Sequence, residues 1–226
     1  MNYYSPFNVC KVLSASARTA LPSATAFKAF PHDRSKGVVT RKPIPIGNLR
    51  RVQRECMQID DDIRWLVALV SDTGMRMAEA AGLSVTDFNL QGDIPFVEVR
   101  KHPWRSLKTS ASGRVIPLSG MALWAANRIL QEADTSIFAF PRYNRGSRTS
   151  SNSASDAINK WLRNYVPAGC TMHSFRHSMR DRLRAVQCPA GIADQIGGWA
   201  TDGVGQGYGS GYPIEVLHRW LSKIVI

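Results

Sequence analysis

The chain has 226 residues, 29 Lys and Arg against 17 Asp and Glu, a formal net charge of +12 and 44% hydrophobic residues. That apolar fraction excludes a wholly disordered chain, and uninterrupted apolar runs such as 65–70 are far too short to span a bilayer, so a soluble globular protein with no membrane span is expected. The basic excess points to a polyanionic partner, nucleic acid ahead of an anionic membrane surface, and the four scattered cysteines (Cys10, Cys56, Cys170, Cys188) fit neither a zinc site nor a disulfide framework.

Residues 1–60 hold ten Lys and Arg against three acids, a balance of +7, so the excess is concentrated at the front. Residues 1–55 lack sustained periodicity and read as a basic linker or arm, largely irregular, ahead of a folded domain over 56–226. No N-terminal apolar segment ends in a small-residue cleavage site, which argues against secretion.

Three aspartates at 60–62 precede Ile63, Leu66, Val67 and Val70, an i, i+3, i+4, i+7 stripe that predicts a helix to about Ser71, stopped near Gly74. Residues 96–100 alternate and are β-branched, and 114–118 follow a turn-rich stretch, so an antiparallel pair is expected with a short strand at 105–108 between them. Helices follow at 119–134, at about 153–165 and at 171–186, the last burying Met172, Phe175, Met179 and Leu183. Pro189 opens a short helix that Gly197 and Gly198 end, and Ile214, Leu217, Trp220, Leu221 and Ile224 form a C-terminal amphipathic stripe. The fold class is mainly α with a small antiparallel β-sheet (α+β).

On the 171–186 helix, His173, Arg176, His177, Arg180 and Arg184 lie opposite the apolar face. Thr171 as the cap would set His173 and Arg176 in a first turn that favours an anion such as phosphate, the plain alternative being a solvated basic face. His173 and His177 have the i, i+4 spacing of a metal pair, but no glutamate follows the first histidine and Arg176 repels a cation, which argues against a metal. The glycine-rich stretch 203–211 surrounds Tyr208 and gives it backbone freedom to swing to a target.

In this order the pieces resemble the tyrosine recombinases (phage integrases). Asp72-Thr-Gly-Met-Arg-Met-Ala-Glu-Ala-Ala-Gly-Leu83 resembles the first arginine box of that family, Lys108 ahead of Arg114-Val-Ile-Pro-Leu118 its β-hairpin lysine and following strand, and His173-Ser-Phe-Arg176-His177 its second box. Gly198-Trp199 stands where most members have Gly-His, and Tyr208 follows nine residues later, the usual interval to the nucleophile. The resemblance runs from about Asp60 to the C-terminus. It implies a tyrosine recombinase catalytic domain in a site-specific recombinase (integrase) that cleaves and rejoins double-stranded DNA through a 3′-phosphotyrosine, with no cofactor.

The roles it implies fit the chemistry of the side chains. Arg76 and Arg176 clamp the non-bridging phosphate oxygens, since a guanidinium matches phosphate in a fork. Lys108 is the general acid for the departing 5′-oxygen and His173 an acid/base or phosphate ligand. Trp199, whose indole can only donate, positions phosphate and packs. Tyr208 is the nucleophile, and Glu79 is structural, holding its helix or Arg76. A homotetramer on DNA, accessory DNA-bending proteins, docking of the C-terminal stripe on a neighbouring protomer and a bacterial or phage-encoded, nucleoid-associated cytoplasmic enzyme of a mobile element are also implied. Folding back on its own domain is the alternative for the stripe. Residues 1–55 are too few for the upstream core-binding domain of full-length members, so the chain reads as a catalytic domain with its linker. Competing functions are type IB topoisomerase-like relaxation and a non-catalytic DNA-binding protein derived from a recombinase.

Overall fold

A computed structural model describes residues 42–109, 112–199 and 211–226. Its first helix, α1 (Ile46–Ile59), buries Leu49, Val52, Gln53 and Cys56 while Arg50, Arg51 and Arg54 face outwards. The irregular arm expected over 1–55 therefore ends earlier: 46–55 are helical, and the division placed at 55/56 cuts through α1. Three arginines interleaved with a narrow i, i+3, i+7 seam hid this helix, because the apolar stripe is thinner than a typical core face. Just before it, Ile44 is held by Ser178, whose hydroxyl accepts from the Ile44 amide at 2.7 Å and donates to its carbonyl at 3.2 Å.

The second helix, α2 (Asp62–Thr73), starts on Asp61, whose carboxylate accepts the Arg64 amide at 2.9 Å, and ends on Gly74 in the left-handed conformation. Every residue from Leu66 to Thr73 is buried, which makes α2 the central element. It packs against α1, α3 (Met77–Ala81), α4 (Gly120–Glu132), α5 (Ser151–Leu162) and α6 (Ser174–Ala185).

The sheet is β1 (Phe88–Asn89), β2 (Phe96–Val99) and β3 (Arg114–Pro117), antiparallel in that order, with Val97 opposite Ile116 and Val99 opposite Arg114. The strand expected over 105–108 does not form; an isolated bridge joins His102 to Arg105 instead. Arg105 turns inwards, 3% exposed, and donates to the Glu79 carbonyl at 2.6 Å and to the Arg100 carbonyl, which pulls the segment onto α3 and away from strand pairing. A hairpin of β4 (Asn144–Arg145) and β5 (Arg148–Thr149) leads into α5.

The helix expected from Thr171 begins later, at Ser174, and Thr171 is no cap. Its amide donates to the Ser174 hydroxyl at 3.0 Å, and His173 takes the cap position, its side chain not capping the helix. Two short helices complete the order, α7 (Ala190–Gly197) and α8 (Ile214–Ser222). Leu217 and Leu221 of α8, with Ile224 after it, are buried, and α8 lies on β3 of its own chain. No helix among the described residues is long and apolar enough to cross a membrane.

Asp72 ties these parts together. Its carboxylate, 6% exposed as a residue, accepts from Gln53 of α1 at 3.1 Å, Arg182 of α6 at 2.9 Å and the Met121 amide in the first turn of α4 at 2.9 Å. Arg182 also donates to the Ile224 carbonyl at 3.0 Å, so the network around one buried ion pair joins four helices and the C-terminal segment.

If α1 is part of the domain, Leu49→Ala should lower the unfolding free energy by about 2–5 kcal/mol in a single cooperative urea transition. A loss under about 0.5 kcal/mol would mark α1 as an appended arm.

Candidate functional site

Three arginines from separate elements meet at the C-terminal ends of two helices. Arg76 precedes α3, Arg114 opens β3 and Arg176 lies in the first turn of α6. The last carbonyls of a helix have no intrahelical partner and carry its negative end, so they suit cations. Arg176 donates to the Gly74 carbonyl at the end of α2 and to Gly197 at the end of α7 at 2.9 Å. Arg114 donates to Ile196 at 2.9 Å, and Arg76 to Gly198 at 3.0 Å.

A single carboxylate sits among them. Glu79 accepts from Arg76 Nη1 at 2.6 Å and from its backbone amide at 2.9 Å, and pairs with Arg114 Nη2 at 3.0 Å. Burial alone would raise its pKa, but the charge of Arg114 and the hydrogen bonds from both arginines outweigh that and hold Glu79 below the usual carboxylate range. Three guanidiniums against one carboxylate leave a formal surplus of two positive charges in the cluster. Arg176 registers it: burial first, then repulsion from Arg76 and Arg114, push its pKa down to about 10, still charged at neutrality.

The glycines at 197 and 198 are required by what they touch. A Cβ on Gly197 would lie 2.1 Å from the Trp199 ring, and one on Gly198 would lie 2.7 Å from Arg114 Nη1 in a backbone with φ of +59°. The turn thus lets the indole and Arg114 close onto the end of α7. Trp199, half-buried, has the Arg176 guanidinium carbon 5.1 Å and that of Arg180 4.7 Å from its ring centroid.

The structure brings Arg76, Arg176 and Trp199 together and places His173 three residues before Arg176, exposed beside His177 with ring centroids 5.3 Å apart. The reading of Arg176 as part of a solvated basic face is overturned: it is 5% exposed, as Arg182 is 8%, because the ends of α2 and α7 cover that side of α6. Lys108 is exposed, and it is its neighbour Thr109 that touches the cluster. The Thr109 hydroxyl is 3.0 Å from that of buried Ser112, which accepts from Arg76 Nη1 at 3.1 Å. Tyr208 lies outside the described residues.

Sequence reading missed Arg114 as a site arginine, and also Ser112 and Asn159. Asn159 Oδ1 accepts the Met172 amide at 2.8 Å and so holds the turn that presents His173. A cavity of about 240 Å³ opens there, lined by Met75, Ser155, Asn159, His173 and Arg176 among others. A larger groove of about 330 Å³ along 86–91 has no basic lining side chain and is unsuited to phosphate. Among the described residues no group of three His, Cys, Asp or Glu side chains is placed to hold a metal ion.

The model of the phage integrase family matches residues 49–210. No curated protein matches the chain in sequence. Among solved structures, it is similar to the XerA recombinase (17% identity, TM-score 0.57, 76% of this chain and 58% of that one). It is also similar to the Tn1549 transposon integrase in complex with a circular intermediate DNA (14%, 0.59, 83% and 63%) and to the XerH site-specific recombinase bound to palindromic difH substrate (14%, 0.53, 71% and 47%). These likenesses establish a shared fold, mostly helical with small antiparallel sheets, and the chain spans about half to two thirds of the length of those structures.

Glu79→Gln leaves Arg114 buried beside Arg76 without its carboxylate and should cost about 3–5 kcal/mol at pH 7. Because the folded carboxyl titrates below its ordinary value, its contribution is complete above about pH 4.3 and is lost as the pH falls through the folded value. Urea unfolding from pH 7 to pH 3 should therefore show the gap between wild type and variant closing only in acid. A gap that stays constant to pH 3 would contradict the ion pair.

Proposed function

The chain belongs to the phage integrase family, and on that premise we propose that it is a tyrosine-type site-specific recombinase that cleaves and rejoins double-stranded DNA through a 3′-phosphotyrosine. The observation that carries the reading is the convergence of Arg76, Arg114 and Arg176 on helix ends with, among the described residues, one carboxylate, that of Glu79, to balance them. A surplus of two positive charges, fixed in place and partly shielded from water, matches a phosphodiester whose charge grows as a nucleophile attacks.

In the proposed reaction the Tyr208 phenol oxygen bonds to phosphorus and gives up its proton, and the bond to the 5′-oxygen breaks. Lys108 supplies a proton to that leaving oxygen, and His173 binds phosphate or moves a proton. Arg76 and Arg176 hold the non-bridging oxygens, while Arg114, fully engaged with Glu79, Ile196 and Ser112, contributes field and rigidity. Trp199 packs on Arg176 and offers its indole N–H. The covalent ester stores the bond energy, so a 5′-hydroxyl of another strand can reverse the step without a nucleotide.

The domain from about residue 46 carries this chemistry, and the basic residues before it track DNA. Assembly as a homotetramer on DNA, aid from accessory DNA-bending proteins and a bacterial or phage-encoded, nucleoid-associated setting belong to the same proposal, while the apolar stripe of α8 is already occupied by its own chain.

A randomised pool of nicked suicide duplexes tests it, with covalent adducts recovered under denaturing conditions and sequenced. Wild type should form an adduct in the presence of EDTA, Tyr208→Phe should form none, and Arg176→Ala should cleave at least about 100-fold more slowly. An adduct that survives Tyr208→Phe, or none with wild type, would sink the assignment. Binding should weaken with salt at a log-log slope of about 0.9 per phosphate contact.

A further inference from the structure

We propose that Arg180 is a positioning residue for Trp199: pinned by Asp194, it holds the indole against Arg176 and so fixes a phosphate-binding guanidinium. The inference rests on the reading of Arg176 and Trp199 given above. Arg180 follows Arg176 by four residues on α6, so both side chains project from the same side of the helix. Their guanidinium carbons lie 4.7 Å (Arg180) and 5.1 Å (Arg176) from the Trp199 ring centroid.

Asp194 of α7 sets both ends of this contact. Its carboxylate, on a residue 5% exposed, accepts Arg180 Nη1 at 2.5 Å, and its backbone carbonyl accepts the Trp199 amide at 3.0 Å. The ring is also seated on Gly197, where a Cβ would collide with it.

An indole needs this support. An imidazole has two ring nitrogens that neighbours can hold, whereas the indole has one N–H, so the orientation of Trp199 depends on what its faces meet. The charge of Arg180 is matched by Asp194, which sets it apart from Arg76 and Arg176, whose cluster carries surplus charge. Arg180 therefore acts on the geometry of cleavage and contributes little to holding DNA.

The test uses the full chain and compares wild type, Arg180→Gln, Trp199→Ala and the double variant by single-turnover cleavage of a suicide duplex and by DNA affinity across salt. Arg180→Gln should cleave about 3- to 30-fold more slowly, bind DNA with an unchanged salt slope, and have no further effect once Trp199 is alanine. Cleavage at the wild-type rate, or additive losses in the double variant, overturns the inference. A salt slope lower by about 0.9 also overturns it, because Arg180 would then be a phosphate contact. The Trp199 indole N–H resonance, identified by its loss in Trp199→Ala, reads the contact without catalysis. It should shift in Arg180→Gln, and an unmoved resonance overturns the inference even if wild type forms no adduct, an outcome that otherwise counts against the recombinase reading alone. Where circular dichroism shows the glutamine variant unfolded, Arg180→Lys replaces it in the same cycle.

Discussion

A guanidinium keeps its proton at any physiological pH, so setting three of them side by side, two buried and one partly so, demands acceptors that a hydrophobic core does not have. Here the acceptors are mostly backbone. The carbonyls of Gly74, Ile196, Gly197 and Gly198 lie at the ends of α2 and α7, and they take Arg76, Arg114 and Arg176 with help from one carboxylate. This fixes much of the architecture. The ends of two helices far apart in sequence must lie together, β3 must start where Arg114 can reach both Glu79 and Ile196, and the turn at 197–198 must be free of side chains.

The same helix pair carries stability. Two residues before Gly74, Asp72 receives Arg182, six residues after Arg176 on α6. Helix α6 is thus fastened twice to the end of α2, once through a buried ion pair and once through the site arginine. Gln53 and the Met121 amide bring α1 and α4 onto the first fastening, so the element that positions Arg176 is also the one that the core is built around. A substitution that loosens Asp72 would be felt in the site without touching it, because packed interiors transmit displacement.

What could be read from the sequence follows from what each kind of signal measures. The apolar stripes gave α2, α4, α6 and α8 within a few residues, and alternation gave β2 and β3. Short boxes singled out Arg76, Arg176 and Trp199, which the fold brings together. Periodicity failed where polar side chains do the packing. It left a solvated face open for the side of α6 bearing Arg176, yet the ends of α2 and α7 lie over that residue, and it passed over α1 because arginines interrupt its seam. Arg105 likewise abolishes an expected strand by reaching for carbonyls. Ser112, Asn159 and Asp194 carry no pattern, and Arg114 reads only as the start of a strand, since their roles exist only once segments distant in sequence are adjacent.

The net charge of +12 takes on a more specific meaning in this frame. Much of it is spent on the outside, as with Arg50, Arg51 and Arg54 of α1, where solvent and salt screen each charge. The surplus of two in the cluster is different, because it is partly buried: burial first, and then repulsion from Arg76 and Arg114, depress the pKa of Arg176. A group that repels its neighbours in the folded chain is relieved by an anion that only the folded chain can gather, so phosphate binding and folding are linked by mass action. The cost of assembling the site is carried by Asp72, Arg182 and the apolar packing of α2, and on the proposed reading a bound phosphodiester would recover it where charge develops.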